Sequence, residues 1–271
     1  MTRALTILII GLSWAGLAAA VPKPDLWAFW EAHDQTSTLE VDHSAWQSFL
    51  DRYVLAGGDG ILRVNYAVDP SDRAKLNDYL AAIQAMDPRK LSRAKQLAYW
   101  INLYNAMTVE VVLRNPKKGS ILRMGKGLFS IGPWDDPVLH IAGENLTLND
   151  VEHRILRPIW RDHRIHYALN CASLGCPDLN PAAYTGANAE TLLTQSEADY
   201  IGHPRGVSFS DQGRLQLSSI FKWYRQDFAR DQAELLDYLA RHHAELSDRL
   251  SVYDGRIDYR YDWNLNRAES R

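Results

Sequence analysis

The most regular patterns in the chain are two stretches with apolar residues at the three- and four-residue spacing of an amphipathic helix. One begins at Ser71 and ends before Pro88, and the other begins at Ser92 and ends at Asn115. Serine suits the first position because its hydroxyl can accept a bond from a free backbone N–H of the helix. Shorter segments of the same kind predict helices at 44–55, 149–157, 188–200, 220–228 and 233–244.

Alternating apolar and polar residues predict strands that are few and short. Turn residues such as Asp211-Gln212-Gly213 separate pairs of them, which favours antiparallel hairpins. A buried strand is also predicted at 166–170, directly before a tight loop that contains both cysteines of the chain. Because helices outnumber strands, we expect an α+β fold, with a mainly helical single domain around a small, largely antiparallel sheet.

The N-terminus has the composition of an export signal. Arg3 precedes an almost wholly apolar run, and Ala18-Ala19-Ala20 supplies the small residues of a cleavage site. No second long apolar run follows, so we expect a soluble periplasmic or secreted protein with no stable membrane span after cleavage. The predicted segments are a signal peptide at 1–20, an N-terminal arm at 21–43, a single globular domain at 44–266 and a tail at 267–271.

Composition narrows the classes of partner. The 271 residues are 46% hydrophobic and 23% charged, which suits a folded globular domain. The formal charge of −3 gives no indication of a basic face for nucleic acid. Nine tryptophans and thirteen tyrosines could line a groove for a small-molecule or peptide ligand, although large aromatic residues more often pack in a core.

Cys171 and Cys176 allow two interpretations. An exported protein can form disulfides, and two cysteines this close in sequence could staple a small loop. Alternatively, Cys171 is a reactive thiol in a loop where backbone N–H groups could bind an oxyanion. The sequence leaves both interpretations open.

A reactive Cys171 would need a base to take its proton. We predict that His153 is this base, because His166 would lie roughly 16 Å away along an extended strand. The histidine would then precede the cysteine in sequence, an order that resembles permuted papain-like hydrolases by analogy alone. The expected reaction is acyl transfer or amide hydrolysis.

The base in turn would need an orienting group, and the candidates are Asp262, Asn102 and Asn105. The two asparagines lie three residues apart on one face of a predicted helix, so they could equally tie that helix to loop backbone, as buried amides usually do. Arg157 is expected to pair with Glu152 or Asp262. The candidate ligand-binding residues are Glu152, Arg157, His166, Asn170 and Ser173.

Two further classes of function compete with a thiol enzyme. Histidines, Glu152 and Cys171 are near one another in sequence, but HExxH and CxxC spacings are absent, so no metal site or cofactor is predicted. The chain could instead be a non-catalytic binding or assembly module, with a structural Cys171–Cys176 disulfide and purely architectural motifs.

Five ordered motifs resemble the domain-of-unknown-function family 547. The motifs lie at 99–106, 148–157, 164–177, 218–228 and 261–266. The resemblance implies no particular reaction, since the family is defined by its unknown function. Some plant members carry a leucine-zipper segment before this domain, whereas this chain has no heptad array there and looks like the short exported bacterial type.

Overall fold

The computed structural model describes residues 22–127 and 130–268. The predicted signal peptide, residue 21 of the predicted arm and the last three residues of the predicted tail lie outside these ranges. The helices are α1 (Ser44–Tyr53), α2 (Pro70–Ala85), α3 (Arg93–Arg114), α4 (Arg157–Trp160), α5 (Ile165–Ala168), α6 (Ala189–Gly202), α7 (Ile220–Trp223), α8 (Arg225–Phe228), α9 (Gln232–His242) and α10 (Ser247–Ser251). A π-helix, Asp150–Leu156, leads directly into α4.

The predicted fold class is confirmed, but the strands form three small sheets rather than one. Strands β1 (Val54–Ala56) and β2 (Leu62–Val64) form an antiparallel pair. Strands β3 (Leu139–Ile141) and β4 (Glu144–Leu146) form a second one. In the third sheet, β6 (Leu215–Ser218) pairs antiparallel with β5 (Val207–Phe209) and parallel with β7 (Asp258–Arg260).

Helix α3 is the centre of the larger apolar core. Every residue from Ala98 to Leu113 is buried, so the helix is enclosed on all sides. It packs against α2, α6 and the π-helix. The predicted start at Ser92 is confirmed, since Ser92 is the residue that precedes its first turn. Within the described residues, no helix is long and apolar enough to cross a membrane.

The predicted strand at 166–170 is wrong, because Ile165–Ala168 forms the single turn of α5. A short apolar run has no periodicity that separates a strand from a buried helical turn. Asp162 favours the turn, since its carboxylate accepts a 2.9 Å bond from the backbone N–H of Arg164. Helix α5 also lies where two apolar cores meet: Ile165 and Ala168 pack in the core around α3, and Tyr167 packs in a second core with α6, α7 and α9.

The N-terminal arm packs along the π-helix. The backbone N–H groups of Asp25 and Trp27 donate to the carbonyls of His153 and Arg154 at 3.0 and 2.9 Å. Trp30, in a short 3-10 helix at Ala28–Glu31, is fully buried in the larger core. The arm thereby brings Pro22 to the wall of the cavity described next.

Candidate functional site

A cavity of about 500 Å³ opens where the two cores meet. The lining includes the titratable groups of Glu152, His153, His166 and Cys171, together with Asp135 and Cys176. Much of the rest is apolar or aromatic, and it includes Leu122, Ile131, Trp134, Ile220, Trp223, Tyr224, Tyr261 and Trp263. A concave site with a few converging polar groups and apolar walls is typical of small-molecule sites.

The π-helix brings two consecutive residues, Glu152 and His153, to the same cavity. Its hydrogen bonds span five residues, so each turn is wider and adjacent side chains diverge less than in an α-helix. An α-helical spacing would instead send the two side chains to different sides of the helix. At the start of this helix, Thr147 and Asp150 form reciprocal capping bonds, at 2.9 and 3.0 Å.

His153 is held in one tautomer by Arg157. The Nη1 group of Arg157 donates to Nδ1 of His153 at 2.9 Å, and a guanidinium has no acceptor atom. Burial is the largest influence that lowers the pKa of His153, and the charge of Arg157 adds to it. The imidazole is therefore neutral near pH 7 and carries its proton on Nε2, which makes it a hydrogen-bond donor rather than a base.

His166 makes the orienting contact that was expected for His153. Its Nε2 lies 2.7 Å from Oδ2 of Asp227, which also accepts a 2.7 Å bond from Nε of Arg157. The imidazole stacks on the Tyr224 ring, with centroids 3.9 Å apart. The other ring nitrogen, Nδ1, lies 3.6 Å from Oε1 of Glu152.

Glu152 is buried and ionised. Burial alone raises its pKa, but the nearby His153, His166 and Arg157 outweigh burial and lower the pKa to about 2. The hydroxyl of Tyr104 donates to Oε2 at 3.3 Å. Arg157 does not make the predicted ion pair with Glu152 or Asp262; it pairs with Asp227 and donates to the carbonyl of Pro22 at 2.8 Å.

The Cys171 sulfur is surrounded by hydrogen-bonding groups. The Tyr261 hydroxyl lies 3.0 Å from it and the Ser173 hydroxyl 3.1 Å, and these two oxygens are 3.1 Å apart. Burial alone raises the pKa of Cys171, but hydrogen bonds from Cys176, Ser173 and Tyr261 outweigh burial and lower it. Cys171 is thus the cysteine poised to ionise, since burial raises the pKa of Cys176 well above its usual value.

The loop after Cys171 has a strained backbone. Ala172 has a φ of 58°, a left-handed conformation that is unfavourable for a residue with a side chain. The buried amide of Asn170 fixes this conformation, since its Oδ1 accepts from the N–H of Ala172 at 2.9 Å and its Nδ2 donates to the carbonyl of Pro177 at 2.7 Å. Backbone strain of this kind is frequent at functional sites, and here it lies next to Cys171.

The loop is further attached to the C-terminal segment. Leu174 and Gly175 donate their N–H groups to the carbonyls of Asn264 and Asp262, both at 2.8 Å. A Cβ on Gly175 would lie 2.6 Å from the backbone nitrogen of Asp262, so only glycine allows this approach. The N–H groups of these two residues, and those of Cys171, Ala172 and Cys176, already have acceptors, so these five are not free to form the backbone oxyanion site expected from the sequence.

The predicted Cys171–Cys176 disulfide is not formed. The two cysteines are not at disulfide distance and both are free thiols. Cys176 instead supports its neighbour: its sulfur accepts the N–H of Cys171 at 2.9 Å and donates to the carbonyl of Leu169 at 3.6 Å. The loop geometry therefore comes from hydrogen bonds rather than from a covalent staple.

The three candidate orienting residues lie away from the groups that line the described cavity. Asn102 exchanges bonds with the backbone of Tyr184, donating at 2.7 Å and accepting at 3.0 Å. Asn105 donates to the carbonyl of Ala168 and accepts from the N–H of Asn170, both at 2.9 Å. Asp262 is exposed and accepts from the N–H of Asn264 at 2.8 Å. These contacts match the architectural interpretation of the asparagines.

Sequence reasoning missed Asp227, Tyr224 and Tyr261, which contact the titratable groups of the cavity. Each of them falls within a segment quoted above for its resemblance to a family, 218–228 or 261–266. Their positions in those motifs were the available signal. Among the described residues, no group of three or more His, Cys, Asp and Glu side chains is arranged to hold a metal ion.

Residues 88–201 match the family described as "Protein of unknown function, DUF547". The match supports the resemblance over three of the five motifs, those at 99–106, 148–157 and 164–177, and it includes Glu152, His153, His166 and Cys171. Neither a curated protein nor a solved structure matches the chain.

Proposed function

We propose that the chain is a thiol-dependent hydrolase or acyl transferase in which Cys171 attacks an acyl carbonyl within the cavity. The observation that carries this proposal is the environment of the Cys171 sulfur. Its pKa is lowered by hydrogen bonds, two of them from hydroxyls at 3.0 and 3.1 Å, and it shares one cavity with the His166–Asp227 pair. A cysteine nucleophile is commonly assisted by an imidazole that a third group orients.

In this mechanism His166, rather than His153, is the base. Nδ1 of His166 takes the thiol proton, and Asp227 and Glu152 stabilise the imidazolium. The sulfur forms a bond to the carbonyl carbon, the bond to the leaving group breaks, and the leaving group receives the proton from His166. Water then cleaves the thioester to give an acid and the free thiol, or a second nucleophile takes the acyl group.

His153 has a different role in this scheme. Because its Nε2 carries the proton, it can donate a hydrogen bond to the carbonyl oxygen as negative charge develops there. In this scheme the donor is a side chain, since the N–H groups of Cys171, Ala172, Leu174, Gly175 and Cys176 already have acceptors.

We also propose that the protein acts outside the cytoplasm, in the periplasm or in secreted form, as a short exported bacterial type. The support is the composition of residues 1–20. Fractionation of producing cells, with N-terminal sequencing of the mature chain, tests this proposal. A cytoplasmic protein that retains residues 1–20 would contradict it.

The catalytic proposal is tested by trapping the acyl-enzyme. The protein is mixed with 4-nitrophenyl acetate near pH 7, quenched in acid and digested, and the peptide that contains Cys171 is examined by mass spectrometry. We expect one acetyl group on Cys171, in a burst of nitrophenol equal to the enzyme concentration, and no burst from Cys171→Ala. Cys176→Ser is the matched control, because it keeps a hydrogen-bonding side chain beside Cys171, and it should retain the burst. An unmodified Cys171 in folded protein would contradict the proposal and favour a non-catalytic binding module.

A further inference from the structure

The aromatic residues that line the cavity extend as far as the proposed nucleophile, Cys171. Tyr261 places its hydroxyl 3.0 Å from the Cys171 sulfur. The ring of the same residue packs against Trp263 and Trp223, with centroids 4.5 and 4.8 Å apart. A group bonded to the carbonyl that Cys171 attacks can therefore pack against this aromatic cluster.

The cluster continues to the rim of the cavity. Trp134 lies edge-on to Trp263 at 5.9 Å, and the side of the cavity is completed by Leu122, Ile220 and Ile131. Ile131 is 50% exposed and belongs to this lining, so a ligand in the cavity can cover its apolar surface. Several titratable groups contact one another: His166 lies beside Asp227 and Glu152, and Arg157 donates to His153.

The cavity thus offers apolar surface for recognition beside its titratable groups. Burying apolar surface is favourable, and each methylene removed from water contributes about 0.8 kcal/mol. A volume of about 500 Å³ lies in the range of sites that enclose whole small molecules, so it exceeds what an acetyl group would fill. A short or charged acyl group would leave the tryptophans in contact with water.

We propose that the substrate carries an apolar acyl group, aliphatic or aromatic, and that the surface formed by Leu122, Ile131, Trp134, Ile220, Trp223 and Trp263 selects it. The substrate class is thus an ester, thioester or amide of a medium-length apolar acid, with its carbonyl at Cys171. This inference rests on the proposed function for its reactive centre, but the recognition it describes is independent of turnover.

The test measures how binding and turnover depend on acyl length. For turnover, 4-nitrophenyl esters from acetyl to octanoyl are compared, and kcat/KM should rise about threefold to fourfold per added methylene until the cavity is filled. Trp223→Ala should flatten this dependence. Trp160→Ala, which removes a half-buried tryptophan elsewhere in the described structure, should leave it unchanged. Because the slope is a ratio, a uniform loss of activity in either variant does not affect it.

Binding is measured separately with Cys171→Ala, by tryptophan fluorescence, using the carboxylates from acetate to octanoate. We expect the Kd to fall by a similar factor per methylene. If no ester is turned over but octanoate binds far more tightly than acetate, the catalytic proposal fails and the inferred recognition stands. If acetyl esters form the acyl-enzyme and neither binding nor turnover depends on acyl length, the inferred recognition is overturned while the catalytic proposal stands.

Discussion

Two histidines three residues apart, on either side of the first residue of α5, each contact a carboxylate, which is buried for one pair and half-buried for the other. His163 lies 2.8 Å from Oε1 of Glu197, and His166 lies 2.7 Å from Oδ2 of Asp227. Glu197 also accepts a 2.6 Å bond from Tyr238. The two pairs are nearly identical in chemistry and differ in what surrounds them.

The His163–Glu197 pair is part of a structural network. Tyr167 hydrogen-bonds to Tyr238 at 2.7 Å, so the pair ties α5 to α6 and α9. The His166–Asp227 pair instead has its second imidazole nitrogen beside Glu152 at the cavity. A His–carboxylate contact alone therefore indicates little about function. What distinguishes His166 is that it lines the cavity that also contains Cys171.

The largest effect should come from removing each imidazole in turn. His166→Gln should slow acylation of Cys171 by about 10²–10⁴-fold, the usual contribution of a general base. His163→Gln should change the rate less than about threefold, because His163 is not among the groups at the described cavity. Stopped-flow measurement of the nitrophenol burst gives both rates. Equal losses in the two variants would show that the comparison reflects folding rather than catalysis.

Replacing the carboxylate of each pair should also distinguish the two pairs, because the two variants should lose different amounts of stability. Asp227→Asn leaves the guanidinium of Arg157, whose side chain is 6% exposed, without its counter-charge. We expect the free energy of unfolding to fall by about 3–5 kcal/mol, since an unpaired buried charge is costly. Glu197→Gln should cost about 2 kcal/mol, because its amide oxygen can still accept from Tyr238. Urea unfolding at pH 7 measures both values, and a smaller loss in Asp227→Asn would contradict the assigned ion pair.

The sequence predicted what depends on local pattern and missed what depends on distant partners. The extent of α3 follows from a long apolar run with helical spacing, and the backbone bonds of Asn102 and Asn105 follow from the need to satisfy buried amides. Asp227 lies 61 residues from His166, so no local spacing indicates their contact.

The site also depends on an irregular helix. The π-helix places Glu152 and His153 side by side at the cavity, whereas an α-helical spacing predicts that they diverge. From an α-helical spacing, Glu152 has the position of a capping residue and His153 is assigned as the base. In the structure, Glu152 lies at the cavity instead, and the bond from Arg157 makes His153 a hydrogen-bond donor.

The third prediction concerns how the free energy of unfolding changes in acid, where Glu152 becomes protonated. The pKa of Glu152 is lowered to about 2 from the usual 4.5, so the ionised carboxylate stabilises the fold above pH 4.5. This stabilisation, roughly 3 kcal/mol, should be lost as the pH falls from 4.5 towards 2. In Glu152→Gln the free energy of unfolding should decline less over that interval. A pH dependence identical to wild type in Glu152→Gln would contradict the lowered pKa.

The smallest expected effect comes from removing a tyrosine hydroxyl that hydrogen-bonds to an acidic side chain. Tyr261 contacts the Cys171 sulfur, and Tyr238 donates to Glu197. Removing the first hydroxyl in Tyr261→Phe takes a donor from the thiolate and should raise the pKa of Cys171 by about one unit, because a bond to a charged group contributes about 1.5 kcal/mol or more. The pH at which iodoacetamide labels Cys171 at half its maximal rate should therefore move upward. Tyr238→Phe should leave that midpoint unchanged, since its hydroxyl belongs to the structural network. An unshifted midpoint in Tyr261→Phe would mean that the thiolate depends on Ser173 and Cys176 instead.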